Sequence, residues 1–147
     1  MSTTMEELET LRRLIEEQDY TNALTLIGEM DEMAKDDKIT KIESFLTILL
    51  VHLIKQKAED RLTNSWQRSV NHALFGIFKA NKRRNAGGFY LKPDELERAT
   101  DESFSFSLRE AAEESFGGVY GAEQLATMID VDQIKQDAFD RVINYKP

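Results

Sequence analysis

His52 and His72 are the only histidines, and the chain contains no cysteine. Imidazole exchanges protons near neutral pH, so a histidine beside a cation suits general-base work or anion binding. On a helical wheel His52 shares a flank with Lys41, Ser44, Ile48 and Lys55. Ile42, Leu46, Leu49 and Leu53 fill the opposite flank. His52 therefore stands at the border between an apolar face and a polar strip. Arg61, Ser65, Trp66, Arg68 and His72 follow on the next helical segment. If the two segments fold antiparallel about residue 60, His52 comes level with a position near 68, where Arg68 adds a second cation. His52, Lys55, Arg61, Ser65, Trp66, Arg68 and His72 are thus the candidate binding residues for a small anion, or for an enzyme that acts on one. The same residues have a plainer reading. His52 is then a core-edge histidine capped by a hydrogen bond, His72 faces solvent, and Trp66 packs in the core with its indole N–H seeking a partner.

Other chemistries find less support. Without cysteine there is no disulfide, thiolate nucleophile or iron–sulfur ligand set. A di-metal helical centre needs Glu-x-x-His on facing helices, but Leu49 and Ser69 stand three residues before the two histidines. No metal site and no cofactor are expected. The carboxylates Glu29, Asp31, Glu32, Asp101, Glu102, Glu110, Glu113 and Glu114 lie at solvated-face positions. No glycine-rich phosphate loop, nucleophile elbow or kinase signature is present.

The elements that would position these residues are helical. The apolar share is 41%, the charged share 31%, and only two prolines and seven glycines interrupt 147 residues. That balance fits one all-α domain over residues 1–147 with a sizeable core. Leu8, Leu11, Leu14 and Ile15 mark a first helix over 5–18. Asp19 is placed to cap a long second helix over 22–57, with a bend near Asp36 as the open question. Within it, 45–54 is apolar almost all round, as a buried central helix would be. Trp66, Val70, Leu74, Ile77 and Phe78 mark a third helix from Thr63 or Asn64 to Lys79. The glycines at 87 and 88 would close it. Pro93 suits the first position of a fourth helix running to 114 or 115. Its weak point is the Ser-Phe-Ser-Phe-Ser run at 103–107, where two shorter helices are the alternative. Two short helices are expected at 122–128 and 131–144. The fold expected is a bundle of five or six helices with a long central helical hairpin.

Charge is unevenly spread. The chain carries −8 overall, yet residues 55–84 hold eight basic and two acidic residues, a local +6. Lys79, Lys82, Arg83 and Arg84 concentrate this charge at the end of the third helix, a candidate patch for an acidic partner. The plainer reading packs this stretch near acidic helices of the same chain. Overall acidity makes nucleic acid an unlikely partner, since phosphate neutralisation dominates that affinity. The polar, acidic start has no secretory pattern, and no apolar run approaches the roughly 20 residues of a membrane span. A cytoplasmic protein is the expectation.

The run Leu49-Leu50-Val51-His52-Leu53-Ile54-Lys55, followed by Arg61 and Ser65-Trp66, resembles the central signature of domain-of-unknown-function family twenty-nine. These are bacterial, mainly cyanobacterial, helical proteins. Glu29 and Glu32, the Leu96-Glu97-Arg98-Ala99 helix and the segment 120–125 also match. The chain departs from the pattern at Gln56, where an aromatic residue is usual, and at Gly118-Val119, where a Cys-Pro pair is. The resemblance implies an all-α fold and a bacterial cytoplasmic origin. It implies no activity. Any shared site would fall on His52, Lys55, Arg61, Ser65 and Trp66, and the same pattern would serve equally as a folding nucleus between two helices. Three functional expectations follow: a non-enzymatic interaction or regulatory module, a small-anion binder or enzyme, or a self-associating homodimer that covers 45–54.

Overall fold

The computed structural model describes residues 3–83 and 87–147. Among them are six α-helices: α1 (Thr3–Glu16), α2 (Tyr20–Glu59), α3 (Asn64–Asn81), α4 (Pro93–Glu114), α5 (Ala122–Ala126) and α6 (Val131–Ile143). No strand occurs among the described residues beyond one isolated bridge. The fold is all-α, with one helix of 40 residues. Two compact units divide the chain, residues 1–38 and 39–147.

In the first unit α1 ends two residues earlier than its apolar spacing suggests. Gln18 takes a left-handed backbone (φ 62). The amide of Asp19 bonds to the carbonyl of Leu14 and that of Gln18 to Ile15, so the last carbonyls are satisfied by a Schellman turn. Asp19 then caps α2, accepting from the Asn22 amide at 3.4 Å and from its side chain at 2.8 Å. Helix α2 runs unbroken through Asp36.

The second unit holds the core. Ile42, Leu46, Leu49, Leu50, Leu53 and Ile54 of α2 are buried with Val70, Ala73 and Ile77 of α3. Phe104 and Ala111 of α4, Leu125 of α5 and Ile134 and Ala138 of α6 complete the same cluster. The segment 45–54 is therefore covered mostly by its own chain, with Ile48 left exposed. Glu59 ends α2 in the same way as α1 ends: Asp60 is left-handed (φ 49) and the Arg61 amide reaches back to the Gln56 carbonyl at 3.3 Å. Thr63 caps α3 through its hydroxyl, which accepts from the Trp66 amide at 3.0 Å.

Helices α2 and α3 form the expected hairpin. A Cβ on Gly76 would stand 2.6 Å from the Phe45 ring, and Lys55 lies over Trp66. Both pairs are centred on the turn at residues 60 and 61, so the helices run antiparallel and Ser69 comes level with His52. Glycine at 76 is what lets the two helices approach across Phe45.

Helix α4 is continuous, which settles the question at 103–107. Ser107 is fully buried, and its hydroxyl donates to the Ser103 carbonyl at 2.7 Å; Thr100 does the same to Leu96 at 2.8 Å. Satisfied in this way, small hydroxyls bury without breaking the helix. Pro93 occupies the first turn, and the Lys92 amide donates to the Glu95 side chain at 3.1 Å. Helix α4 packs on α5, on α6 and on the turn at Ser115–Gly118, while α3 packs on α6.

The end of α3 departs from expectation. The helix runs to Asn81, past Lys79, and glycine does not cap it. The chain instead folds back as a short hairpin. Lys82 bridges to Phe89, the Arg83 amide donates to Gly88, and the Tyr90 amide donates to Asn81. Gly87 and Gly88 (φ 75 and 71) supply the left-handed turn, which side chains with a Cβ resist. The buried Asn81 side chain pins the returning segment, accepting from the Leu91 amide at 2.7 Å and donating to its carbonyl at 3.2 Å.

Candidate functional site

Lys55 projects from α2 and is 7% exposed. Its ammonium donates to Glu114 of α4 at 2.9 Å and lies 4.8 Å from the centre of the Trp66 ring. The Arg61 guanidinium lies 4.7 Å from the same ring and pairs with Glu59 at 3.0 Å. One tryptophan thus receives two cations, each held by its own carboxylate. A buried ammonium is costly unless paired; here the carboxylate and the negative ring face supply the partner. The cluster ties α2, the following turn, α3 and α4 together.

The other residues of the expected anion site do not join it. The His52 ring closes on its own helix, with Nδ1 2.8 Å from the Ile48 carbonyl. Ser65, Arg68 and His72 are exposed on α3. The structure brings Lys55, Arg61 and Trp66 together, and it adds Glu59 and Glu114, which sequence reasoning had treated as solvated or had passed over. Among the described residues no group of three or more metal-ligating side chains is placed to hold an ion.

The basic end of α3 is built differently. Lys79 lies 5.9 Å from the Phe75 ring and Lys82 5.8 Å from the Phe78 ring; the Arg83 guanidinium lies 4.9 Å from Tyr90. Phe78 in turn meets Phe89 edge-on at 6.3 Å and Tyr145 at 5.8 Å. Phe75 and Phe89 are 47% and 53% exposed. The hairpin after α3 is what carries Phe89 and Tyr90 back beside the cations. Arg84, the fourth residue of the expected patch, lies outside the described residues. The aromatic half of this surface had a signal in the sequence: Phe75 and Phe78 each precede a lysine by four residues, one helical turn.

A cavity of about 570 Å³ opens along α4 and α6, lined by Asp94, Arg98, Asp101, Asp132 and Lys135 among others. Lys135 is already paired with Asp101 at 2.6 Å and lies over Phe104.

The family model described as "Domain of unknown function DUF29" matches residues 2–145. The chain belongs to this family. No curated protein and no solved structure matches it. For this DUF29 chain the signature positions Lys55, Arg61 and Trp66 form the three-helix clasp, and the Thr63 cap sets the first turn that carries Trp66. Among the described residues no helix is long and apolar enough to cross a membrane.

Proposed function

We propose that this protein is a non-enzymatic interaction module of the bacterial cytoplasm, and that the basic–aromatic surface at the end of α3 binds an acidic polypeptide segment. The observation that carries the reading is a row of cations over rings at one end of α3: Lys79 over exposed Phe75, Lys82 over Phe78 and Arg83 over Tyr90, with exposed Phe89 against Phe78. Aromatic rings and cations of this kind anchor protein interfaces: the rings supply area at low entropic cost, and charge steers the encounter. The non-enzymatic reading is supported by Lys55, whose ammonium is held by Glu114, and by His52, whose Nδ1 lies against the Ile48 carbonyl of its own helix. The absence of cysteine suits a reducing compartment.

Fluorescence anisotropy tests this with two peptides of equal length. One alternates Asp or Glu with Phe and Leu, and the other replaces the acids with their amides. The acidic peptide should bind, and the Lys79→Glu, Lys82→Glu double variant should weaken it by roughly tenfold or more, as should raised salt. Equal binding of both peptides, or no effect of charge reversal, would remove the patch from consideration.

A further inference from the structure

The unit formed by residues 1–38 has almost nothing to hold it. Among its described side chains Ala23 alone is buried. Met5, Leu8 and Ile15 on α1 and Tyr20, Leu24 and Ile27 on α2 are all exposed. Their three- and four-residue spacing places them in stripes along the two helices. Leu8, Leu11 and Ile15, with Arg12 and Glu16, line a shallow groove of about 410 Å³. Scattered surface hydrophobes need no explanation, but contiguous stripes mark a face that something covers.

Charge selects what covers it. Residues 1–38 hold four basic and eleven acidic residues, a net −7; residues 39–147 hold fifteen and sixteen, a net −1. Nearly all of the chain's charge thus sits on the unit with the uncovered stripes. Glu9 and Glu16 border the α1 stripe on the helical wheel. Two copies of this unit face to face would bring −14 together, which like-charge repulsion disfavours. An anionic lipid surface is repelled for the same reason.

We infer that residues 5–33 form a docking surface for an amphipathic helix of another protein, with an apolar stripe at three- and four-residue spacing flanked by Lys and Arg. Such a helix lays its apolar side chains along the stripes, the mode by which helices bind hydrophobic grooves. Its cations meet Glu9 and Glu16. The α1 stripe from Met5 to Ile15 spans roughly 15 Å at 1.5 Å per residue, so three turns of partner helix cover it. This surface is independent of the basic patch on α3. Together they make the protein a bridge between one basic and one acidic partner.

The test uses the full chain and two synthetic helices with the same leucine stripe, one flanked by Lys and Arg, the other by Glu. Calorimetry should show the basic helix binding at least roughly tenfold tighter than the acidic one, with the gap closing at high salt. Leu8→Asp and Leu24→Asp change exposed positions and should each weaken binding by a similar factor, while Lys82→Glu leaves it unchanged. Equal binding of both helices, or binding of neither, overturns the proposal. So does a dimer in native mass spectrometry that Leu24→Asp dissolves, because a second copy would then be the occupant.

Discussion

Along the single helix α2, the same spacing of apolar residues meets opposite fates. Leu46, Leu49 and Leu53 are buried; Leu24 and Ile27, earlier in the same helix, are exposed. Locally they differ in circumference: 45–54 is apolar almost all round, whereas the earlier stripe is flanked by Glu29, Asp31 and Glu32. The later half is packed by α3, α4, α5 and α6, whereas the unit formed by residues 1–38 offers its stripes only α1. A periodic stripe states which face of a helix prefers to leave water. It does not state which chain does the covering.

The largest expected contrast is in core truncation. Leu49→Ala should lower unfolding free energy by about 2–5 kcal/mol, because the site is sealed on all sides. Leu24→Ala, on the uncovered stripe, should shift it by less than about 0.5 kcal/mol. Urea denaturation of both variants measures the contrast, and equal losses would mean the first unit is as well packed as the second.

Within the second unit, Trp66→Ala should cost about 2–3 kcal/mol, since it removes a half-buried ring and the contact of two cations at once. Glu114→Gln should cost about 1 kcal/mol: Lys55 keeps Trp66 but loses its carboxylate. A double-mutant cycle on these two positions checks whether they act as one clasp. A coupling energy near zero would separate the ion pair from the stack.

Gly76→Ala should destabilise by about 1–3 kcal/mol despite alanine's better helix propensity, because the added Cβ meets the Phe45 ring. Adding Phe45→Leu should recover much of the loss. Thermal melts of the single and double variants decide it, and a stabilised Gly76→Ala would refute the close approach of α2 and α3.

The smallest effects come from the two Schellman turns. Asp60→Gly relieves a left-handed non-glycine residue (φ 49) and should stabilise by about 0.5–1 kcal/mol. Gln18→Gly relieves the same strain (φ 62) in the first unit and should leave global unfolding unchanged. Chemical denaturation of the pair sharpens the division at residue 38; equal gains would blur it.

Much of this architecture was legible in the sequence. Apolar spacing marks the first three helices, and Pro93 and the threonine at 63 mark two starts. The hairpin axis near residue 60 follows from its length. The ends of α1 and α3 were less legible. Gln18 and Asp60 adopt left-handed backbone without being glycine, and Gly87 and Gly88 build a hairpin where a helix cap was expected. Burial of Ser107 inside α4 depends on an i−4 hydroxyl bond, which residue type alone does not announce. For the site, the wheel around His52 places Lys55 on a polar strip, whereas the structure buries it against Trp66 and Glu114. Its partner Glu114 lies 59 positions away, and no spacing rule reaches that far. The aromatic partners of the basic patch were within reach, one turn before each lysine.

Hydrogen exchange along α2 in the free protein tests the central claim most directly, because one helix crosses both units. The account predicts strong protection for amides of residues 42–54 and weak protection for residues 23–33, with the fall near residue 38, since opening free energy follows local burial. Uniform protection along the whole helix would contradict it and show that the first unit is held as firmly as the bundle.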